Sequence, residues 1–170
     1  MASPFEIAAA AIGIVHVAAK ILDVTAQFAA DTKTVNDRSK DLVSQVTLLH
    51  DVLPPVAQTL NRRQECIAER PVTPDEQGLL DAIAGVIDRL HTTVKIFEEK
   101  VEKLTGPPGR WRDAMLQLKF MKSESDIASL ENRINSEMSS LHLMMTCYTW
   151  YDKYVYSFAP ARFQRVLNHG

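Results

Sequence analysis

Apolar positions recur at helical intervals along most of the chain. Ile7, Ile14, Ile21 and Phe28 stand seven residues apart, and Ala10, Val17 and Val24 follow the first three at a distance of three, which is the spacing of a heptad seam. Ile12, Val15, Ala19, Leu22 and Ala26 lie outside that seam, so the upper two-thirds of this first helix is apolar nearly all round. Such a helix needs cover on every side, from a bundle or from a bilayer. Ser3-Pro4 marks its start, with serine as the N-cap and proline at the first helical position, where its missing N–H is not needed.

A second stripe follows the cap candidate Asp31-Thr32: Val35, Leu42, Val46, Leu49, Leu53, Val56 and Leu60. It runs through Pro54-Pro55. Proline removes a helical hydrogen bond and clashes with the preceding turn, so the pattern predicts a kink or break near Leu53, with the same core face resuming beyond it. Arg62, Arg63 and Arg70, with Glu65 and Glu69, read as a solvated helix end and loop. Thr73-Pro74-Asp75-Glu76 then opens a third helix with a cap, a proline and two acids at the positive end of the helix dipole. Its stripe, from Leu80 and Ile83 through Phe97 to Leu104, ends at Gly106 before Pro107-Pro108, a length of about 45 Å.

Beyond that stop, Trp111, Met115, Leu118 and Met121 define the inner face of a short amphipathic helix over Arg110 to Lys122. Ser123-Glu124-Ser125-Asp126 caps the chain again, and Ile127, Leu130, Ile134, Met138, Leu141, Met145 and Tyr148 form the last long stripe. No alternating strand pattern of useful length occurs. The expected fold is all-α: a bundle of four to five main helices with a kinked second helix and a short amphipathic helix before the last long one. One domain is expected over residues 1–158, with 159–170 as an extension or linker.

Composition narrows the function classes. A length of 170 residues suits one domain, and a net charge of -2 offers no overall attraction for nucleic acid, so no such partner is expected. Cys66 and Cys147 are too few for a disulfide framework and lack metal-ligand spacing. The uncharged run from Ile7 to Ala19 is about five residues short of the ~18 of a membrane span. No basic residue precedes it as a secretory signal requires, so a cytoplasmic protein is expected.

Chemistry is sparse. Asp88 and His91 form a single Asp-x-x-His without the second copy that helical metal sites use, and no phosphate loop, dinucleotide fingerprint or Gly-x-Ser-x-Gly occurs. Neither an enzyme nor a cofactor is expected. His16 reads as a hydrogen-bonded core or interfacial histidine. Arg110, Trp111, Arg112, Lys119 and Lys122 combine basic and aromatic character on one short helix. That combination suits either an ordinary bundle helix or one lying on anionic lipid, where each basic residue contributes about 1 kcal/mol.

The order of these features carries a resemblance. The Ala-rich opening (Ser3-Pro4-Phe5-Glu6-Ile7-Ala8-Ala9-Ala10-Ala11-Ile12), the second helix of Leu/Val heptads, the long third helix, and Trp111 followed by Leu118-Lys119-Phe120-Met121-Lys122-Ser123-Glu124-Ser125-Asp126-Ile127 and Leu130 resemble the HeLo-like N-terminal domains of fungal STAND proteins, receptors related to NOD-like receptors. The likeness covers roughly residues 3 to 150. It implies a helical cell-death effector domain that a following nucleotide-binding or amyloid-motif region drives into homo-oligomers. It further implies that the domain then moves to the plasma membrane and releases its first helix into anionic lipid. Carried onto this chain, the membrane-insertion residues are Phe5, Glu6, Ile7, Ile12, Gly13, Ile14, Val15, Val17 and Ile21, with Glu6 as the polar residue near the tip. Arg110, Trp111, Arg112, Lys119 and Lys122 would meet the membrane surface. The glycine zipper of some members is reduced here to Gly13 among alanines. The alternative is a non-enzymatic interaction or autoinhibitory module of such a receptor that never enters a membrane.

Overall fold

The stripes fold as helices. In a computed structural model the described residues are 1–31, 37–68, 70–105 and 128–154, with side chains described within 1–24, 43–68, 70–100 and 128–154. Among them lie α1 (Pro4–Asp31), α2 (Asp37–Glu65), α3 (Pro74–Thr105) and α4 (128–154), and no strand. The architecture is an all-α helical bundle. The amphipathic helix expected over Arg110 to Lys122, the cap at Thr32 and the extension 159–170 fall outside the described residues.

Two helices begin where the cap signals place them. At α1 the Ser3 N–H donates to Glu6 Oε2 (2.9 Å) and the Glu6 N–H donates to Ser3 Oγ (3.2 Å), a closed capping box that satisfies two otherwise orphaned donors. At α3 the Glu76 N–H donates to Thr73 Oγ1 at 3.2 Å. No break occurs at Pro54-Pro55: α2 is one helix of 29 residues that contains both prolines. The carbonyls of His50 and Asp51 lose their usual donors there, but the surrounding stretch is partly exposed, so water replaces them at low cost. Leu49, Leu53, Val56 and Leu60 therefore stay on one buried face, and the expectation of a resumed core face is met without a break.

Burial on α1 corrects the expected seam. Pro4, Ile7, Ala8, Ala11, Ile14, Ala18 and Ile21 are the buried positions among its described side chains, whereas Ala10 is exposed and Val17 half-buried. The core-facing alanines Ala11 and Ala18 lie four residues after Ile7 and Ile14, not three, and Ala8 joins them. This follows from packing on two neighbours, since α1 lies against both α2 and α3 and its contact stripe centres between the two rows. The same geometry leaves Phe5 (61%) and Ile12 (37%) exposed, and His16, expected at the core or an interface, is exposed as well, so the described helices do not cover this helix all round.

The remaining core is mainly aliphatic: Leu80, Ile83, Ile87 and Leu90 from α3 and Ile134, Met138 and Leu141 from α4 belong to one cluster that includes the α1 and α2 residues, with Phe97 and Tyr148 as its large aromatic members. Arg89 Nε spans α3 to α4 by donating to both oxygens of Glu137 (2.9 and 3.0 Å). Leu53 is fully buried beside the two prolines. Leu53→Ala is expected to lower stability by about 2–5 kcal/mol, read from the urea midpoint by circular dichroism, with an unchanged dependence on urea.

Candidate functional site

The first helix is held to the bundle by apolar contact along its length and by polar ties near its ends. At the leading end the Ala2 N–H donates to Asp81 Oδ1 (2.8 Å), and Gln77 Nε2 donates to the Ala2 carbonyl (3.0 Å) and to Asp81 Oδ1 (2.9 Å). These donors hold the Asp81 carboxyl below its ordinary range, the Ala2 N–H first and the Gln77 amide second. Toward the other end Lys20 Nζ meets Glu98 Oε1 at 2.7 Å. Lys20 is more than half exposed, so that pair is screened and weak.

Among the expected insertion residues, Ile7, Ile14 and Ile21 are buried, Gly13, Val15 and Val17 are half-buried, and Phe5, Glu6 and Ile12 are exposed. Glu6 is the capping-box carboxylate, and hydrogen bonds from the Ser3 backbone and hydroxyl lower its pKa. No heavy atom outside its own helix backbone lies within 4 Å of where a side chain on Gly13 would begin. The glycine is therefore not needed for close helix contact here. Ile12 borders an open groove of about 700 Å³ whose other wall is Pro54, Pro55 and Ala57 of α2. Arg110, Trp111, Arg112, Lys119 and Lys122 lie outside the described residues.

The helix also revises the expected span length. The uncharged run from Ile7 to Ala19 is too short to cross a bilayer, but the continuous helix extends the apolar segment past both flanks. Pro4–Val24, 21 residues with mean hydropathy 1.9, is long and apolar enough to cross, with 33% of it buried in the bundle. Glu6, Lys20 and Asp23 fall near its ends, where charged groups reach water. The core helix of a soluble bundle has the same composition.

A second centre was not foreseen in the sequence. Arg63 and Glu76, expected in a solvated helix end and at the positive end of a helix dipole, are buried to 5% and 0% exposure. Arg63 Nε donates to Glu76 Oε1 (2.6 Å) and Nη2 to Oε2 (2.9 Å), a two-pronged pair, and Tyr148 Oη donates to Oε1 (3.2 Å). Arg70 stands 3.7 Å from the same carboxylate and donates to Asp152 of α4. Thr73 and Tyr151 share a hydroxyl hydrogen bond of 2.6 Å beside it. The end of α2, the connection 66–73, the start of α3 and the end of α4 thus meet on one carboxylate. A cavity of about 270 Å³ opens here, bounded by Arg62, Arg63, Arg70, Tyr148 and Asp152.

Burial opposes the charge on Glu76, but the hydrogen bonds and charge of Arg63, then the charge of Arg70 and the Tyr148 hydroxyl, outweigh it and lower its pKa. Burial, followed by the Glu76 charge, raises the Tyr148 pKa and keeps the phenol a donor. The available sequence signal was spacing: Glu76 occupies the third helical position after Thr73, where a capping box would use it, and an arginine thirteen residues earlier was its competitor. Among the described residues no three His, Cys, Asp or Glu side chains gather as a metal-binding group, and both Cys66 and Cys147 are exposed free thiols.

In comparisons with known proteins, no family model matches the chain, and no curated protein or solved structure matches it.

Glu76→Gln leaves the Arg63 guanidinium buried against a neutral amide and is expected to cost about 3–5 kcal/mol, whereas replacing both Arg63 and Glu76 with methionine recovers most of that loss. Calorimetry on the single and double variants reads the difference. Because the folded carboxyl has a lower pKa than its ordinary value of 4.5, its contribution is present in full above about pH 4.5 and drains away as pH falls through the lowered value. Glu76→Gln should flatten that part of the acid limb.

Proposed function

We propose that this chain is a membrane-targeting cell-death effector domain of the innate-immunity and incompatibility type, one that oligomerises and exposes its apolar first helix to permeabilise membranes. Its partners are anionic lipids after activation, further copies of itself, and a downstream nucleotide-binding or amyloid-motif region of the full-length protein. It resides in the cytoplasm and moves to the plasma membrane on activation. No enzymatic step and no cofactor enter this scheme.

The observation that carries the reading is α1: a helix of bilayer-crossing length, 33% buried, lying against α2 and α3 with Phe5, Ala9, Ala10 and Ile12 exposed beside the polar Glu6, His16, Lys20 and Asp23. Releasing it costs the polar ties at Ala2 and Lys20 together with the burial of Ile7, Ile14 and Ile21, about 1.5–3 kcal/mol for each isoleucine. Lipid or a neighbouring protomer must replace that burial, which makes release conditional on clustering at a membrane. The rival reading, an interaction or autoinhibitory module that stays out of membranes, draws support from the complete burial of Ile14 and Ala18, as in a permanent core helix.

Ile12→Glu separates the two readings because Ile12 sits on the exposed face of α1. Ile12 keeps part of its area against α2, so the substitution is expected to lower folding stability by about 1–2 kcal/mol, with the helical circular dichroism retained. A carboxylate within the apolar segment costs about 2.5–3.5 kcal/mol per copy in the bilayer, so dye release from anionic liposomes by the artificially clustered chain should fall at least tenfold. Equal release by both forms, or none by either, removes the membrane reading.

A further inference from the structure

The outer face of α4 combines features that no other described helix face shares. Leu143 (56%), Trp150 (63%) and Tyr154 (54%) are exposed, and with the exposed thiol of Cys147 they stand at spacings of four, three and four. At 100° per residue these four fall within about 60° of arc, opposite the buried Ile134, Leu141 and Tyr148. Trp150 and Tyr154 stack on one another, with ring centroids 4.9 Å apart and planes inclined by 10°.

The polar neighbours of this stripe are already satisfied by the helix itself. Ser139 Oγ donates to the Asn135 carbonyl (2.9 Å), Ser140 Oγ to Ser136 (3.0 Å), Thr146 Oγ1 to His142 (2.8 Å) and Thr149 Oγ1 to Thr146 (3.1 Å). Hydroxyls bonded in this way lose little on leaving water. From residue 139 to 154 the one carboxylate is that of Asp152, which is 45% exposed but lies on the opposite side of the helix from this stripe and is paired with Arg70, and the other exposed ionisable side chains besides the cysteine and tyrosine already named are His142 and Lys153. The outer face of α3, by contrast, exposes Asp81, Asp88 and Glu99.

We infer that this face of α4 is the surface with which the folded bundle docks in the headgroup region of a lipid bilayer, before α1 moves. Tryptophan and tyrosine favour that boundary because their rings bury apolar area while their polar edges stay wet, and Lys153 beside them extends its ammonium toward lipid phosphate. The inference rests on the membrane reading proposed above and adds the element that makes first contact. It also fits the fold: Tyr148 and Asp152 fix the same stretch of α4 to the buried centre, so the stacked pair stands on a rigid support.

Trp150 is one of two tryptophans, so Trp111→Phe makes its emission a single reporter. The full chain carrying that change is mixed, resting and clustered, with vesicles of phosphatidylcholine and phosphatidylserine, with and without brominated acyl chains. A blue shift on binding, quenching by the bromines, and an at least tenfold weaker vesicle partition for Trp150→Ala/Tyr154→Ala with native circular dichroism are expected. Binding of the chain with Trp150 emission unchanged overturns this docking face while leaving the membrane reading intact. No vesicle association by any form, the chain with Trp111 intact included, removes the membrane reading and this inference with it. A blue shift that follows protein concentration without lipid, together with a dimer mass, overturns it in favour of a second copy on the same face.

Discussion

The buried ion pair of Arg63 and Glu76 is the constraint on which the arrangement of α2, α3 and α4 depends. Two charges out of water are tolerable only when geometry is good and remaining donors and acceptors are met, and here the fork of the guanidinium spans both carboxylate oxygens while Tyr148 donates to one of them. That requirement fixes where α2 ends relative to the first turn of α3. It also draws in α4, which supplies the phenol. Arg70 with Asp152, and Thr73 with Tyr151, repeat the same connection nearer the surface. The aliphatic core supplies the bulk of the burial, yet leucine and isoleucine contacts tolerate sliding; a two-pronged buried pair does not.

Two nearly identical starts show how tertiary context redirects a local signal. Ser3-Pro4-Phe5-Glu6 and Thr73-Pro74-Asp75-Glu76 present the same cap, proline and third-position glutamate. In α1 the glutamate turns back and closes the box on Ser3. In α3 the threonine still caps, but Glu76 turns inward to Arg63. The difference lies in what stands nearby: no buried cation is set beside Glu6, whereas the last turn of α2 delivers one to Glu76. A reading based on spacing alone assigns both glutamates to the helix dipole, and only the folded chain separates them.

The helices themselves were legible because apolar periodicity, proline at the first position and flanking caps agree with one another, so local and tertiary preferences reinforce. Rotational detail was less so. On α1 nearly every position is apolar, and a stripe with isoleucine every seventh residue leaves the intervening alanines ambiguous between three and four; contact with two helices decided for Ala11 and Ala18. Of the kink or break expected at the prolines of α2, the break does not occur, and both prolines lie inside one continuous helix. Arg63 and Arg70 were read as solvated because arginine at a helix end usually is, and nothing within the neighbouring sequence reveals that a carboxylate and a phenol from distant segments converge on them.

The bundle therefore holds its helices by two different kinds of force. The polar centre joins α2, α3 and α4 through directional contacts that lose most of their value once broken, since each partner left behind is a buried charge or donor. The first helix is joined mainly by apolar area, supplemented by ties at Ala2 and Lys20 that lie at exposed positions. Apolar contact is non-directional, and another apolar surface can replace it with little loss. A helix secured in this manner is exchangeable in a way that the other three are not: bilayer or protomer can substitute for the face of α2 and α3 that Ile7, Ile14 and Ile21 now occupy, whereas no external surface substitutes for the fork between Arg63 and Glu76. If α1 leaves, the directional centre remains as the support that keeps α4 and its stacked aromatic pair in place.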